Sequence, residues 1–407
     1  MWIRTYHVLR LLARAFDITA LCFERAASPK TAARVGRELD ILGRLADVSV
    51  FLIPQNHSRL RYAWDHLRSV LRGRVYTEFV YESRAFEERL AGLLDSTAFD
   101  LVHADNLVDL ARFLPMCDGI PIVCVHHNVE SELLRRRAAI ELGRPRRAYL
   151  AYQARLMEDL ERTWCRRVAL NVAVSAQDRA SLKLIAPGCD VLVVPNGVDL
   201  DEFKPAAAME EGLAFVGGTN WFPNRDALAF FCSEILPHLR AAKPSLPVRW
   251  IGAAPAELRK SHRERYGVEL TGYVDDAIPL MREAACHVVP LRAGGGTRLK
   301  ILNSWAMGKA VVSTSIGCEG LAAADGVNIL VRDDPKDFAR AVLDVLADDL
   351  LRRRLGEQGR ATAQRLYSWD VVGQPMIEAY LGLAGAPSGE LATGTGTTHA
   401  EPGYGYS

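Results

Sequence analysis

The sequence lacks the spacings that metal sites and disulfide frameworks need. Its eight cysteines (Cys22, Cys117, Cys124, Cys165, Cys189, Cys232, Cys286 and Cys318) form no CxxC pair, and no histidines gather beside them. Buried, reduced thiols are the expectation. No apolar run approaches the ~20 residues of a membrane-spanning helix, and no signal-peptide core opens the chain, so a soluble cytoplasmic protein is expected. Charge of neither sign dominates. Lys plus Arg total 50 and Asp plus Glu 49, which excludes a global electrostatic pull toward nucleic acid. No strand is followed by GxGxxG with an acid about twenty residues on, which argues against a nicotinamide dehydrogenase. The stretch Ala384–Ser407 has almost no aliphatic residues and cannot bury enough apolar area to order itself, so it reads as a flexible tail.

What is present is a long alternation of strands and helices. At 407 residues, 49% of them apolar, the chain has material for two cores. Met1–Ala15 reads as an amphipathic helix, followed by strands at 18–23, 48–53, 100–103, 121–126, 170–174 and 191–194 with helices between. The chain opens on a helix with no preceding strand, which is unusual for a doubly wound sheet. Asp201–Gly212 is polar and alanine-rich and reads as a linker. A second alternation follows, with strands at 213–216, 248–251, 268–270, 287–290, 310–314 and 329–331. Strand–helix alternation of this kind predicts parallel sheets with crossover helices, hence an α/β protein of two domains with a ligand cleft.

Ligand-facing residues in open parallel sheets sit just beyond the carboxyl ends of strands. Two stretches meet that criterion. The segment Pro290–Thr314, PLRAGGGTRLKILNSWAMGKAVVST, reads as strand end, glycine loop, helix, turn and strand. Gly294, Gly295 and Gly296 allow a ligand close to the backbone, Thr297 is placed to cap the helix, and Arg298 and Lys300 add positive charge at its first turn. That combination suits a phosphate or diphosphate. His126, His127, Asn128 and Glu130 follow the strand PIVCV, where a histidine can bond a substrate oxygen or exchange a proton near neutral pH. His103 and Asp105 are placed in the same way after an earlier strand. The arginines of 133–147 would attract anionic lipid headgroups or an anionic acceptor, or form a solvated helix face with Glu132 and Glu141.

Five motifs in order carry a resemblance: PNGVDLDEF (195–203), FVGG…W.PN.DAL (215–228), TGYVDD (271–276), PLRAGGGTRLKIL…AMGKAVVST (290–314), and GCEGL (317–321) with ILVRDDPKDFARAV. The chain resembles the retaining family-4 (group 1) glycosyltransferases of GT-B fold, in the form found with bacterial exopolysaccharide and surface-polysaccharide genes. The resemblance implies two Rossmann-like doubly wound domains facing a cleft. These would be an acceptor-side domain at 1–205, with a returning helix at 368–383, and a nucleotide-sugar domain at 206–367. In the first of them the initial strand is absent ahead of the helix bearing Arg4, Tyr6 and His7, which raises the possibility of a misassigned start codon.

The resemblance further implies transfer of a hexose from a nucleotide diphosphate sugar to a lipid-linked or polysaccharide acceptor. No metal ion is expected, and contact with the inner membrane would be peripheral. Arg298, Lys300 and His127 would be the catalytic groups, with His126 in place of His127 if the register is off by one. Gly217, Gly218, Tyr273, Val274, Gly295, Gly296, Thr297, Asn303 and Glu319 would hold the donor. Tyr273 and Val274 would lie against the base, and Asn303 stands where the family has a ribose-binding glutamate. Alternatives of different chemistry are a UDP-sugar epimerase of the same fold and a weakly active or inactive glycosyltransferase-like binding subunit.

Overall fold

The computed structural model describes residues 2–24, 36, 39–54, 58–206, 211–294 and 298–385. The expected tail and the triplet Gly295–Thr297 lie outside these residues. The chain divides into two compact units at Val194/Pro195, and returns to the first at Val372/Gly373. Both divisions are displaced from the expected ones at 205/206 and 367/368. The helix Trp369–Leu383 begins in the second unit and ends in the first.

In the first unit the chain starts with the helix Trp2–Leu12, then forms β1 (Thr19–Glu24) and β2 (Asp47–Leu52), which pair in parallel. A separate parallel sheet follows, β3 (Val102–Ala104), β4 (Ile122–His126), β5 (Leu170–Ala173) and β6 (Val191–Val193), in that spatial order. Among the described residues no strand joins β1 to β3, so the doubly wound sheet expected from the sequence is interrupted there. Every residue of β4 is buried, as a strand covered on both faces requires. The arginine-rich stretch is two helices, Glu130–Ile140 and Arg144–Arg167. They break at 141–143, where Gly143 and Pro145 set the start of the second helix.

The second unit holds one six-stranded parallel sheet. Its strands are β7 (Leu213–Val216), β8 (Val248–Ile251), β9 (Glu269–Leu270), β10 (Cys286–Val289), β11 (Ala310–Ser313) and β12 (Leu330–Val331), in the spatial order β12-β11-β10-β7-β8-β9. β7, β10 and β11 are buried throughout, with His287 and Ser313 as their polar members, and Phe215, Trp250, Phe231, Trp305 and Phe338 fill the space between sheet and helices. Local chemistry sets the helix starts. The carboxylate of Asp334 accepts from the Lys336 and Asp337 amides ahead of Pro335–Ala347, and Asp348 does the same for Asp349–Leu366. The stretch 222–242 is not one continuous α-helix: it is Phe222–Phe230, one wide turn at 231–235 and Leu236–Ala242. Pro237 has no amide hydrogen to continue the regular ladder.

Candidate functional site

The strand order of the second unit reverses at β7. From there the chain runs outward to β8 and β9, then returns to place β10 on the other side of β7. The loops leaving β7 and β10 therefore diverge, and a crevice opens beyond their carboxyl ends. Gly217 and Gly218 after β7 and Gly294 after β10 lie at that point. Gly217 has φ 152°, and a Cβ there would come within 2.5 Å of the Asn224 amide nitrogen. Asn224 donates from Nδ2 to the Gly218 carbonyl at 3.0 Å, and its Oδ1 accepts from Lys300 Nζ at 2.9 Å. The ammonium lies 4.5 Å from the centre of the Phe215 ring and 5.8 Å from that of Trp221, a cation–π arrangement. Burial, reinforced by the neighbouring Arg298, lowers the Lys300 pKa to about 7.

Arg298 flanks the first residue of the helix Leu299–Ala306 and occupies its capping position, one residue beyond the expected cap at Thr297. Its buried guanidinium donates from Nε and Nη2 to the Ile316 carbonyl at 3.2 and 3.0 Å, and Nη2 lies 3.5 Å from Glu319 Oε2. Gly294, at φ 140°, passes close beneath it: a Cβ would stand 3.1 Å from Nη1. The two cations are thus held by different partners at one helix N-terminus. Asn303 is buried on the same helix. Tyr273 is exposed on the loop after β9, and Val274 packs against the core. Their loop is tied to the crevice through glycines: Gly272 bridges to Gly252, and a Cβ on Gly252 would meet the Gly218 amide at 2.7 Å.

In the first unit, the pairing of His103 with Val123 in β3 and β4 brings the ends of both strands out together. Asp105 and His127 then meet, Oδ2 to Nε2 at 3.4 Å. Asp105 Oδ1 stands 3.4 Å from His103 Nε2, whose other ring nitrogen is 2.7 Å from the Tyr380 hydroxyl. Thr5 Oγ1 also donates to Asp105 at 2.5 Å. Burial alone would raise the Asp105 pKa, but its bonds to His103 and His127 hold it well below the usual carboxylate range. His126 belongs to a different environment. It is buried in β4, 2.9 Å from Asn171 Oδ1, and burial lowers its pKa to about 4. Of the two consecutive histidines, His127 is the one that meets the carboxylate.

The structure therefore gathers Gly217, Gly218, Arg298, Lys300 and Glu319 in the second unit, and His127 with Asp105 in the first. Sequence reasoning did not assign Asn224, although its place in the PN pair after the β7 glycines was a signal. It also missed Tyr380, which nothing local in the sequence marks. All eight cysteines are free, and seven of them are buried.

A strand order that reverses at its first strand, with Gly217, Gly218 and two cations at the reversal, defines a doubly wound α/β unit with a crevice at its switch point. Solved structures with matching architecture include GT-B glycosyltransferases. Anabaena HepE in complex with UDP matches with a TM-score of 0.63 at 13% identity, over 90% of this chain and 100% of that one. Sucrose-phosphate synthase from Thermosynechococcus elongatus matches at 0.61 and 17%, over 92% and 97%. A family model described as "Glycosyltransferase Family 4" matches residues 3–202, and one described as "Glycosyl transferases group 1" matches residues 210–348. The chain belongs to the group 1, family-4 glycosyltransferases. It is 28% identical over 308 residues to the phosphatidyl-myo-inositol mannosyltransferase of Mycobacterium tuberculosis (strain H37Rv), covering 71% of this chain and 75% of that protein. It is 35% identical over 122 residues to the lipopolysaccharide core biosynthesis glycosyltransferase LpsE of Rhizobium meliloti, covering 28% and 33%.

Proposed function

We propose that the protein transfers a hexose from a nucleotide diphosphate sugar to a lipid-linked or polysaccharide acceptor in cell-surface glycan biosynthesis, with retention and without a metal ion. The observation that carries this reading is the cation pair at the β7/β10 crevice, with Lys300 bonded to Asn224 and Arg298 fixed by Ile316 and Glu319. When the bond from the anomeric carbon to the diphosphate breaks, negative charge grows on the leaving oxygen. A half-buried ammonium and an anchored guanidinium at a helix N-terminus offset that charge without reorganising. In this reading Gly217, Gly218, Gly295, Gly296 and Thr297 border the diphosphate, Asn303 bonds the ribose, and Tyr273 and Val274 border the base. His127, oriented by Asp105, donates a hydrogen bond to the transferred sugar.

The mannosyltransferase and lipopolysaccharide-core relatives support an envelope glycolipid as acceptor. HepE, solved with UDP and with UDP-glucose, supports a nucleotide diphosphate donor. The test is transfer from a panel of UDP- and GDP-sugars to a membrane glycolipid extract in the presence of EDTA. The expected result is a glycosylated product with the anomeric configuration of the donor, and loss of about 100-fold or more in kcat for Arg298→Ala and Lys300→Met. An inverted product, dependence on added metal, or activity untouched by either substitution would each overturn the corresponding part.

A further inference from the structure

Asn224 sits in the first turn of the helix Phe222–Phe230 and is buried. Asparagine favours helix less than alanine does, because its side chain competes for backbone groups. Near a helix start such a side chain commonly caps the turn, but here Trp221 holds the capping position and no side chain caps it. The Asn224 amide reaches to other elements instead. Nδ2 donates to the Gly218 carbonyl at 3.0 Å, and Oδ1 accepts from Lys300 Nζ at 2.9 Å. One planar group thereby joins the loop after β7 to the first turn of the helix Leu299–Ala306. Gly217 leaves room for it: a Cβ there would stand 2.5 Å from Nδ2, 2.8 Å from Cγ and 2.9 Å from Oδ1, so the amide packs directly on the glycine backbone.

The same tie decides which loop atoms an anion meets. The Gly218 carbonyl is bonded to Asn224, and the Gly217 carbonyl accepts from the buried Trp250 indole at 3.1 Å. Both carbonyl oxygens, which would repel a phosphate, are committed to donors of the protein. The Gly217 amide donates to Ile251 and the Thr219 amide to Ala253, each at 2.8 Å, which fixes the loop against β8 and the residues after it.

The partner that Asn224 offers Lys300 is neutral. The ammonium otherwise stands over the rings of Phe215 and Trp221. Arg298, at the start of its own helix, repels it. Asp226, on the helix of Asn224, gives its two oxygens to Arg292 at 2.7 and 3.1 Å, and Glu319 faces Arg298 at 3.5 Å. Among the described residues Lys300 makes no ion pair. A carboxylate at 224 would pair with the ammonium and cancel its charge toward an incoming anion. The amide oxygen fixes the ammonium in place and leaves the charge. A cation fixed in advance and not neutralised is what stabilisation of a developing anion demands.

We infer that Asn224 is a positioning residue for the cation that meets the diphosphate: it fixes the Lys300 ammonium through a neutral bond and ties the Gly218 carbonyl away from the ligand. This role presupposes that the crevice binds a nucleotide diphosphate. The experiment is calorimetric titration of the full chain with UDP, GDP and ADP across the neutral pH range, for wild type, Asn224→Asp and Asn224→Leu, with circular dichroism as the check on folding. Leucine keeps the branched shape and offers no acceptor. Wild-type affinity falls as Lys300 loses its proton, above about pH 7. In Asn224→Asp the carboxylate favours the ammonium, so the fall moves up by about one pH unit or more, and binding below about pH 7 weakens about tenfold. Asn224→Leu removes an acceptor from the charged form, so the fall moves to lower pH, again with binding about tenfold weaker. Either arm alone decides, should the other chain fail to fold. The nucleotide's own titration is common to all chains and cancels in the comparison. A fall at the wild-type pH in a folded variant, or a displaced fall that persists when Lys300→Met is added, overturns the role of Asn224 and leaves the donor site standing. Failure of the wild-type chain to bind any of the three nucleotides overturns both.

Discussion

Lys300 stands half-buried at the β7/β10 crevice. Burial, and then Arg298, lower its pKa to about 7. An arriving diphosphate supplies the opposite charge and raises the pKa, so binding takes up a proton around neutral pH. Affinity should therefore fall as pH rises above about 7, and calorimetry in buffers of different ionisation enthalpy should register the proton. Lys300→Met should abolish the uptake and weaken binding about tenfold. Glu161 gives a second residue-scale expectation. It is buried, its carboxylate accepting from the Ser131 amide and hydroxyl at 3.3 and 2.5 Å, and burial raises its pKa to about 7 from 4.5. The folded state thus holds a proton that the unfolded state has released. This contribution to stability is complete below the unfolded value and is lost as pH rises from about 4.5 to about 7, at up to about 1.4 kcal/mol per pH unit. Glu161→Gln should flatten that part of the melting-temperature profile. The choice between His126 and His127 was not legible in sequence, because IVCV is apolar on both faces and hides the phase of the strand. His103 and Asp105 were legible as residues beyond a strand end. Their link to Tyr380 joins positions far apart in the chain.

At the scale of elements, the parallel strands were the most legible feature. A run such as LAFV or AVVS, bounded by glycine or threonine, leaves little alternative to a strand covered on both faces. The facing of the helix Arg59–Arg72, whose Asp65 is buried and whose Leu60 and Leu71 are exposed, was not legible, since periodicity shows that a helix has two faces without showing which one meets the protein. Only the positions of Glu82, Arg112 and Gln153 decide it. Helix packing in the second unit gives a prediction at this scale. Gly356, in the helix Asp349–Leu366, passes against the turn at Gly308: a Cβ would lie 2.0 Å from that carbonyl oxygen, and backbone cannot swing aside. Gly356→Ala should therefore destabilise the protein by about 1–3 kcal/mol in urea unfolding, although alanine favours helix by about 1 kcal/mol. The same substitution at Gly92, which has nothing within 4 Å in its helix, should stabilise slightly.

At the scale of the molecule, the two α/β units and most of their strands followed from the alternation in sequence, and the family from five ordered motifs. The spatial order of the strands did not, and that order sets β7 and β10 side by side, so that the loops after them flank one crevice although the second follows the first by about seventy residues. The account rests on one claim, that this crevice binds the diphosphate of a nucleotide sugar through Arg298 and Lys300. The most direct test is calorimetric titration of the full chain, in EDTA, with UDP, GDP and ADP, for wild type, Arg298→Ala and Lys300→Met. The account predicts saturable binding of at least one nucleotide by the wild-type chain, weakened about tenfold or more by either substitution. Absence of binding by all three nucleotides, or equal affinity in the substituted chains, would contradict it.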